Sequence, residues 1–282
     1  MAATRPEVVL ITGASSGIGK ACAERLHLRG YRVYGTSRRA PRAIAVTTTG
    51  GSAAGTFELL PMDVTSDESV ERGIGSILAR EGRIDAVVNN AGYGLAGAVE
   101  DTALDEARAQ FDTNFFGVLR VCRAVLPVMR RQGRGYLLNV SSMAGVIGIP
   151  FQALYSASKF ALEGLTEALR AEVAPHGIRV VLIEPGDFRT GFTASRTLAR
   201  GAAAGTAYAE RQARALGVME ADEKGGATPE SVGRLVERIL GRRSPRPRYA
   251  VGPLSERLAL ALKRVAPDRI FAWAIAKYYR AT

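Results

Sequence analysis

The chain has 282 residues, of which 47% are hydrophobic, 23% charged and 7% aromatic, and it carries a net charge of +11. That composition excludes whole-chain disorder and supplies enough apolar side chains for a full core, in one large α/β domain or two small ones. The charge is mostly arginine, in three clusters: Arg38, Arg39 and Arg42; Arg130, Arg131 and Arg134; and Arg242, Arg243, Arg246 and Arg248. No aromatics are interleaved and no zinc-finger or RNA-binding spacing accompanies them, so they predict attraction of anions in general and no nucleic-acid partner.

Short β-branched runs alternate with longer helical patterns. Strands are predicted at residues 8–12, 32–37, 56–60, 84–89, 136–141, 178–184 and 248–251. Most are apolar without strict alternation, as strands buried on both faces are. The first run is too short for a signal peptide and is stopped by a glycine-rich stretch. No run of about 18 apolar residues occurs, so no transmembrane helix is expected and the cytoplasm is the default location. Thr65 with Glu68, and Thr102 with Asp105, match capping boxes, and Thr228 before Pro229 reads as a helix start. Residues 111–129 predict one helix that is apolar over much of its circumference, suited to a buried core or a homo-oligomer interface. Cys22 and Cys122 fall in helical stretches and read as reduced core thiols.

This alternation predicts an α/β fold: a doubly wound, Rossmann-type parallel sheet in a single domain, residues 1–252, with ligands at the carboxyl ends of the strands. Residues of about 191–224 fit no strand and predict a helical substrate lid. Residues 253–282 form an amphipathic C-terminal extension that either docks on its own domain or touches a membrane surface.

The turn Thr12-Gly13-Ala14-Ser15-Ser16-Gly17-Ile18-Gly19 follows the first strand and opens a helix. Glycines there allow a tight turn whose N–H groups approach a pyrophosphate, with the helix N-terminus adding a positive dipole end. Gly13 to Gly17 also satisfies G-x-S-x-G, the nucleophile elbow of serine hydrolases with Ser15 as nucleophile. That alternative needs a late histidine, whereas His27 and His176 fall in or beside helices.

Taken together, the glycine turn, Asn89-Asn90-Ala91-Gly92 after the fourth strand, Ser142, Tyr155-Ser156-Ala157-Ser158-Lys159 and Pro185-Gly186 resemble the short-chain dehydrogenases/reductases, over roughly residues 5–250. The run at residues 155–165 looks most like the branch holding 17β-hydroxysteroid and retinol dehydrogenases. The resemblance implies an oxidoreductase that interconverts an alcohol and a carbonyl by hydride transfer. It implies Tyr155 as general acid or base, Lys159 as its electrostatic partner and ribose ligand, Ser142 as donor to the substrate oxygen, and Asn114 as holder of a relay water. Asp63 and Val64 would flank the adenine, Asn90 with Ala91 and Gly92 its ribose, and Pro185, Gly186, Phe188 and Thr190 the nicotinamide. Asp187 and Arg189 depart from the family, which usually has apolar residues before the threonine.

Four residues separate Tyr155 from Lys159, which on a helix places them on one face. A cation about 5 Å from a phenol, at an effective dielectric of about 20, favours phenolate by roughly 3 kcal/mol, or about two pKa units. The spacing therefore predicts a tyrosine brought toward neutral pH, where acid–base catalysis works best; two side chains that merely pack are the plain alternative. Ser156-Ala157-Ser158-Lys159 also fits the S-x-x-K of β-lactamases, without the companion elements.

A site preferring NAD ends its second strand in an acid that binds the ribose hydroxyl. Here the strand ends Ser37-Arg38-Arg39, so NADP(H) is expected, with Ser37 and Arg38 on the 2′-phosphate. The predicted mouth is lined by Tyr93, Leu95, Val146, Ile149, Phe151, Phe188 and Phe192, which calls for a small hydrophobic ketone, aldehyde or secondary alcohol. A cofactor-binding regulator without catalysis is the rival from another class.

Overall fold

The computed structural model describes residues 8–40, 43–45, 56–202 and 205–282; Arg42 and residues 203–204 of the expected lid lie outside them. In chain order the strands are β1 (Val8–Ile11), β2 (Arg32–Ser37), β3 (Ala43–Ala45), β4 (Thr56–Pro61), β5 (Ala86–Asn89), β6 (Leu95–Ala96), β7 (Gly135–Val140), β8 (Ile178–Pro185), β9 (Thr197–Leu198) and β10 (Arg248–Val251). Eight form one sheet in the order β10-β8-β7-β5-β1-β2-β4-β3, parallel except for β3, which pairs antiparallel with β4 at the edge. All seven predicted strands are in it. β3 went unread because three residues on one edge leave no period to recognise; β6 and β9 pair only with each other.

Alternate residues of β1 show why apolar runs become central strands. Val9 and Ile11 face a core built with α1 (Gly17–Leu28) and α8 (Glu230–Leu240). Val8 and Leu10 face the opposite core, under α2 (Asp67–Glu81), α4 (Gly117–Gln132) and α5 (Ala153–Val173). With both faces covered, neither set of positions can be polar. Fully buried Leu10 truncated to alanine would cost about 3 kcal/mol, transfer and cavity together. Cys22 and Cys122 are buried, one in each core, and burial pushes both thiols up to about 12.

Three local expectations need correction. The cap of α2 is Ser66, whose hydroxyl accepts from Ser69 N at 3.2 Å, while Thr65 donates its N–H and hydroxyl to Asp63 Oδ1. At α3 (Leu104–Phe111) the cap is Ala103, whose N–H donates to Glu106 Oε2 at 3.0 Å, and Thr102 bonds back to Ala98 O. The helix expected over 111–129 is broken: α3 passes through a π-turn at Asp112–Phe116 before α4 begins. Hydrophobic spacing does not register such a turn, because the apolar residues on either side still face inward.

A third, smaller core lies at the carboxyl end of the sheet. Here α9 (Leu254–Lys263) and α10 (Asp268–Tyr278) bring Leu260 and Phe271 against Met143 and Ile147. The strand before them is fastened by Arg248, which bonds Glu163 and Glu184, both nearly buried, as well as Glu167.

Candidate active site

A cavity of about 1240 Å³ opens at the carboxyl ends of β1, β2, β5, β7 and β8. One arm is bordered by the turn after β1, with Gly13, Ser15, Ser16, Gly17 and Ile18, together with Ser37 and Arg38 at the end of β2. Asp63 and Val64 border it beyond β4, and Asn90, Ala91 and Gly92 beyond β5. Gly19 does not reach the cavity: it sits under the turn, where a Cβ would overlap the Gly13 carbonyl. Gly13 has φ +68° and a Cβ there would stand 2.9 Å from Ala91 Cα, so the turn packs directly on the loop after β5. Asn90 seals that contact, its Nδ2 donating to Thr12 O and Gly13 O.

This arm fits a dinucleotide. Ser16, the N-cap of α1, makes no side-chain bond to the helix, and no acid occupies the first turn. The leading N–H groups and positive dipole end are therefore available to a pyrophosphate. Ser37 is half-buried, Arg38 is exposed, and neither carries a carboxylate into the place where a ribose hydroxyl would be read.

The second arm holds the chemistry-bearing side chains. Ser142 follows β7; its Oγ accepts from Ala144 N at 3.1 Å and is hydrogen-bonded to Tyr155. Ser141 also borders the cavity, but its hydroxyl faces Glu163. Tyr155 and Lys159 stand on the first two turns of α5 and are both more than nine-tenths buried. Lys159 Nζ donates to Val140 O at 2.9 Å and lies 5.9 Å from the Tyr155 ring centroid. The expected lowering of the tyrosine is corrected here. Burial pushes the Tyr155 phenol up to about 12 against the opposing pull of the Ser142 bond, and burial brings the Lys159 ammonium down to about 8. Desolvation of two buried groups outweighs their mutual attraction.

Asn114 is buried in the π-turn and stands behind the cavity rather than on its wall. It clasps Tyr93 from both sides, Oδ1 accepting its N–H at 3.1 Å and Nδ2 donating to its carbonyl at 3.0 Å. Nδ2 also donates to Ser158 Oγ, which in turn donates to Tyr155 O. The π-turn is what aims Asn114 inward at this point, a common use of such turns.

Pro185, Gly186, Phe188 and Thr190 line the cavity where β8 ends, as do Tyr93, Leu95, Ile149 and Phe192 from other segments. The Phe192 ring is tilted over that of Tyr155, centroids 5.7 Å apart. Val146 and Phe151 do not line it. Val146 packs into the third core, and Phe151, at φ +59°, turns the chain into α5 while its carbonyl accepts from Gly97 N. Of the expected lid, Phe192, Ser195, Thr197 and Leu198 reach the cavity, joined by Met219 and Glu223 of α7 (Ala209–Gly225) after the short α6 (Phe192–Ser195).

Two features had no assigned part. The C-terminal extension supplies a wall of the cavity through Leu262, Phe271, Ala274, Ile275 and Tyr278. Asp187, noticed only as a departure, borders the cavity with Glu256 and Glu223. Its N–H donates to Glu256 Oε2 at 2.9 Å, and a Cβ at Gly186 would overlap that oxygen. Burial, then the neighbouring Glu256, pushes the Asp187 carboxyl up to about 8. Glu223 is held by Arg196 and Thr193.

This architecture, with a serine, a tyrosine and a lysine gathered beside a nucleotide cradle, defines a Rossmann-type oxidoreductase. Residues 7–201 match the pattern of the short chain dehydrogenase family, and the chain belongs to it. It is 42% identical over 275 residues to a 3-ketodihydrosphingosine reductase from Bacteroides thetaiotaomicron, covering 98% of each chain. It is 41% identical over 194 residues to retinol dehydrogenase 8 from Bos taurus, covering 67% of this chain and 62% of that one. A solved short-chain dehydrogenase from Streptomyces avermitilis superposes with a TM-score of 0.78 at 32% identity, covering 97% of this chain and 98% of the other. Similar solved structures hold NADP in some cases and NADH in another.

Proposed function

We propose that the protein is an NADPH-dependent reductase of a long-chain ketone that carries an amino group beside the carbonyl, of the 3-ketodihydrosphingosine kind. The observation that carries this reading is the Asp187–Glu256 carboxyl pair, set beside Tyr155 in a cavity otherwise walled by apolar side chains. Carboxyls so confined suit a cationic neighbour of the reacting carbon, and apolar walls suit an alkyl chain. The 42% identity to a 3-ketodihydrosphingosine reductase along nearly the whole chain supports the same substrate class. Arg38 with Ser37, and the lack of an acid at the end of β2, support NADP(H) over NAD(H).

A bound reduced nicotinamide would supply hydride to the carbonyl carbon. Tyr155 gives its proton to the carbonyl oxygen; a phenol held near 12 keeps that proton at neutral pH and so is poised as an acid. Ser142 donates to the same oxygen as negative charge builds on it. Lys159 stabilises the resulting phenolate, and Asn114 fixes the Tyr93 backbone and, through Ser158, the turn carrying Tyr155. Phe192 and the C-terminal helices keep water from the reacting atoms. Exposed Phe116 and Phe160, on the π-turn and α5, suit a homo-oligomer.

The test is NADPH consumption with 3-ketodihydrosphingosine, a ketone of the same length lacking the amine, and retinal, with Tyr155→Phe as the blank. Fast turnover of the amino ketone, with KM raised at least tenfold in Asp187→Asn, is expected. Equal turnover of the plain ketone would remove the amine from the reading, and no turnover of any carbonyl would leave a cofactor-binding regulator. The hydrolase alternative fails on geometry: His27 lies in the last turn of α1, almost the whole helix away from Ser15, and His176 precedes β8 at the sheet's other end.

A further inference from the structure

The C-terminal helices have two apolar sides, and only one is used. Leu260 and Phe271 face the third core. Leu254, Leu258, Leu262, Val265, Ile270 and Trp273 are each more than half exposed. Leu254, Leu258 and Leu262 recur every four residues and so stand in one row along α9. Soluble chains rarely leave so many large apolar side chains uncovered on adjoining elements.

What lies beside that row says what covers it. Leu254 and Leu258 share an open groove with Arg234, Arg238, Arg242, Arg246, Arg257 and Arg264. Among the described residues, none of these six arginines has a carboxylate within ion-pair distance, although others such as Arg25, Arg32 and Arg200 do. Six uncompensated cations next to exposed leucines would repel an equally basic copy of the chain, whose net charge is +11. They match a surface that is both anionic and apolar. Trp273, with the Lys277 ammonium 5.0 Å from its ring centroid, has the amphipathic character of side chains that settle at headgroup level.

We propose that the outer face of the C-terminal helices, with the adjoining arginine groove, docks this protein on anionic lipid bilayers. Among the described residues no helix is long and apolar enough to cross a membrane, so the contact is peripheral. Docking there sets the catalytic cavity at the bilayer surface. Leu262 is exposed and also lines the cavity, and Tyr278 does likewise, so its rim is continuous with the docked face. A long-chain substrate then enters without crossing water.

The test is co-sedimentation of the full chain with vesicles of phosphatidylcholine alone or with a third phosphatidylglycerol. The variants are Leu258→Glu/Val265→Glu and Arg238→Glu/Arg242→Glu, all exposed positions outside the catalytic cavity. Binding at least tenfold stronger to the anionic vesicles, weakened at least tenfold in each variant and by high salt, is expected. Activity of both variants on a short water-soluble ketone should equal wild type, which shows that the fold is intact. Equal binding by wild type and variants, or none to anionic vesicles, overturns the proposal. So does loss of self-association in Leu258→Glu/Val265→Glu by sedimentation velocity without vesicle binding by wild type, which makes a second copy the occupant. The vesicle readout stands whether or not an amino ketone is the substrate.

Discussion

The Lys159 ammonium donates to the Val140 carbonyl at 2.9 Å, a bond that carries α5 across to the end of β7. Held there, it stands 5.9 Å from the Tyr155 ring centroid and does not compensate for burial of the phenol. The difference in phenolate absorbance between wild type and Tyr155→Phe should therefore appear, in nucleotide-free protein, only well above pH 10, the ordinary tyrosine value. A difference already present at about pH 8 would contradict the dominance of desolvation.

Ser142→Ala removes a donor aimed at the substrate oxygen while leaving Tyr155 and Lys159 in place. A fall in kcat of about 10²–10³ is expected, with nucleotide binding unchanged. Steady-state kinetics beside a nucleotide titration separate the two, and an unaltered kcat would transfer the role to Ser141.

Arg38→Ala reads the cofactor. Loss of charge-assisted bonds to a 2′-phosphate, at about 1.5–3 kcal/mol, corresponds to roughly 10–100-fold weaker NADPH binding. NADH affinity should not move. Nicotinamide fluorescence measures both, and parallel losses would show that Arg38 supports the loop rather than the phosphate.

Asp187 couples the cavity to stability. Its folded pKa, about 8, is raised above that of an unfolded aspartate, so the folded chain binds the proton more tightly. Stability then falls as pH rises from about 4 to about 8. Asp187→Asn removes that fall and should be more stable than wild type by about 1–2 kcal/mol near pH 8.5, with little difference near pH 4. Urea unfolding at both pH values decides it; identical pH slopes would show that Asp187 is charged in the folded chain.

Arg248→Ala leaves the nearly buried Glu184 and Glu163 without their cation. A loss of about 3 kcal/mol is expected, and replacing Glu184 with glutamine in the same chain should recover part of it. Thermal unfolding of the two variants makes the comparison.

Strands were legible because a parallel sheet covered on both faces forces unbroken apolar runs, so Val8 to Ile11 admit no other placement. The dinucleotide turn was legible because Gly13 and Gly19 occupy positions with no room for a side chain. The electrostatics were not. Pair spacing counts the attraction between Tyr155 and Lys159 but not the burial that reverses the shift. The substrate wall escaped for a different reason: Leu262, Phe271 and Ile275 meet the cavity only through long-range packing, which leaves no local pattern. Asp187 was visible as an oddity, and its meaning required Glu256, 69 residues later.

Because the π-turn at Asp112–Phe116 takes up one residue more than an α-turn, it sets the rotational phase of all that follows. Deleting a single residue there would restore ordinary winding and swing α4 by ~100° about its axis. Val118, Val121, Cys122, Val125 and Met129 would then leave the sheet together, while Asn114 lost its hold on Tyr93. Chain length through this stretch is thus constrained more tightly than the identity of most of its side chains.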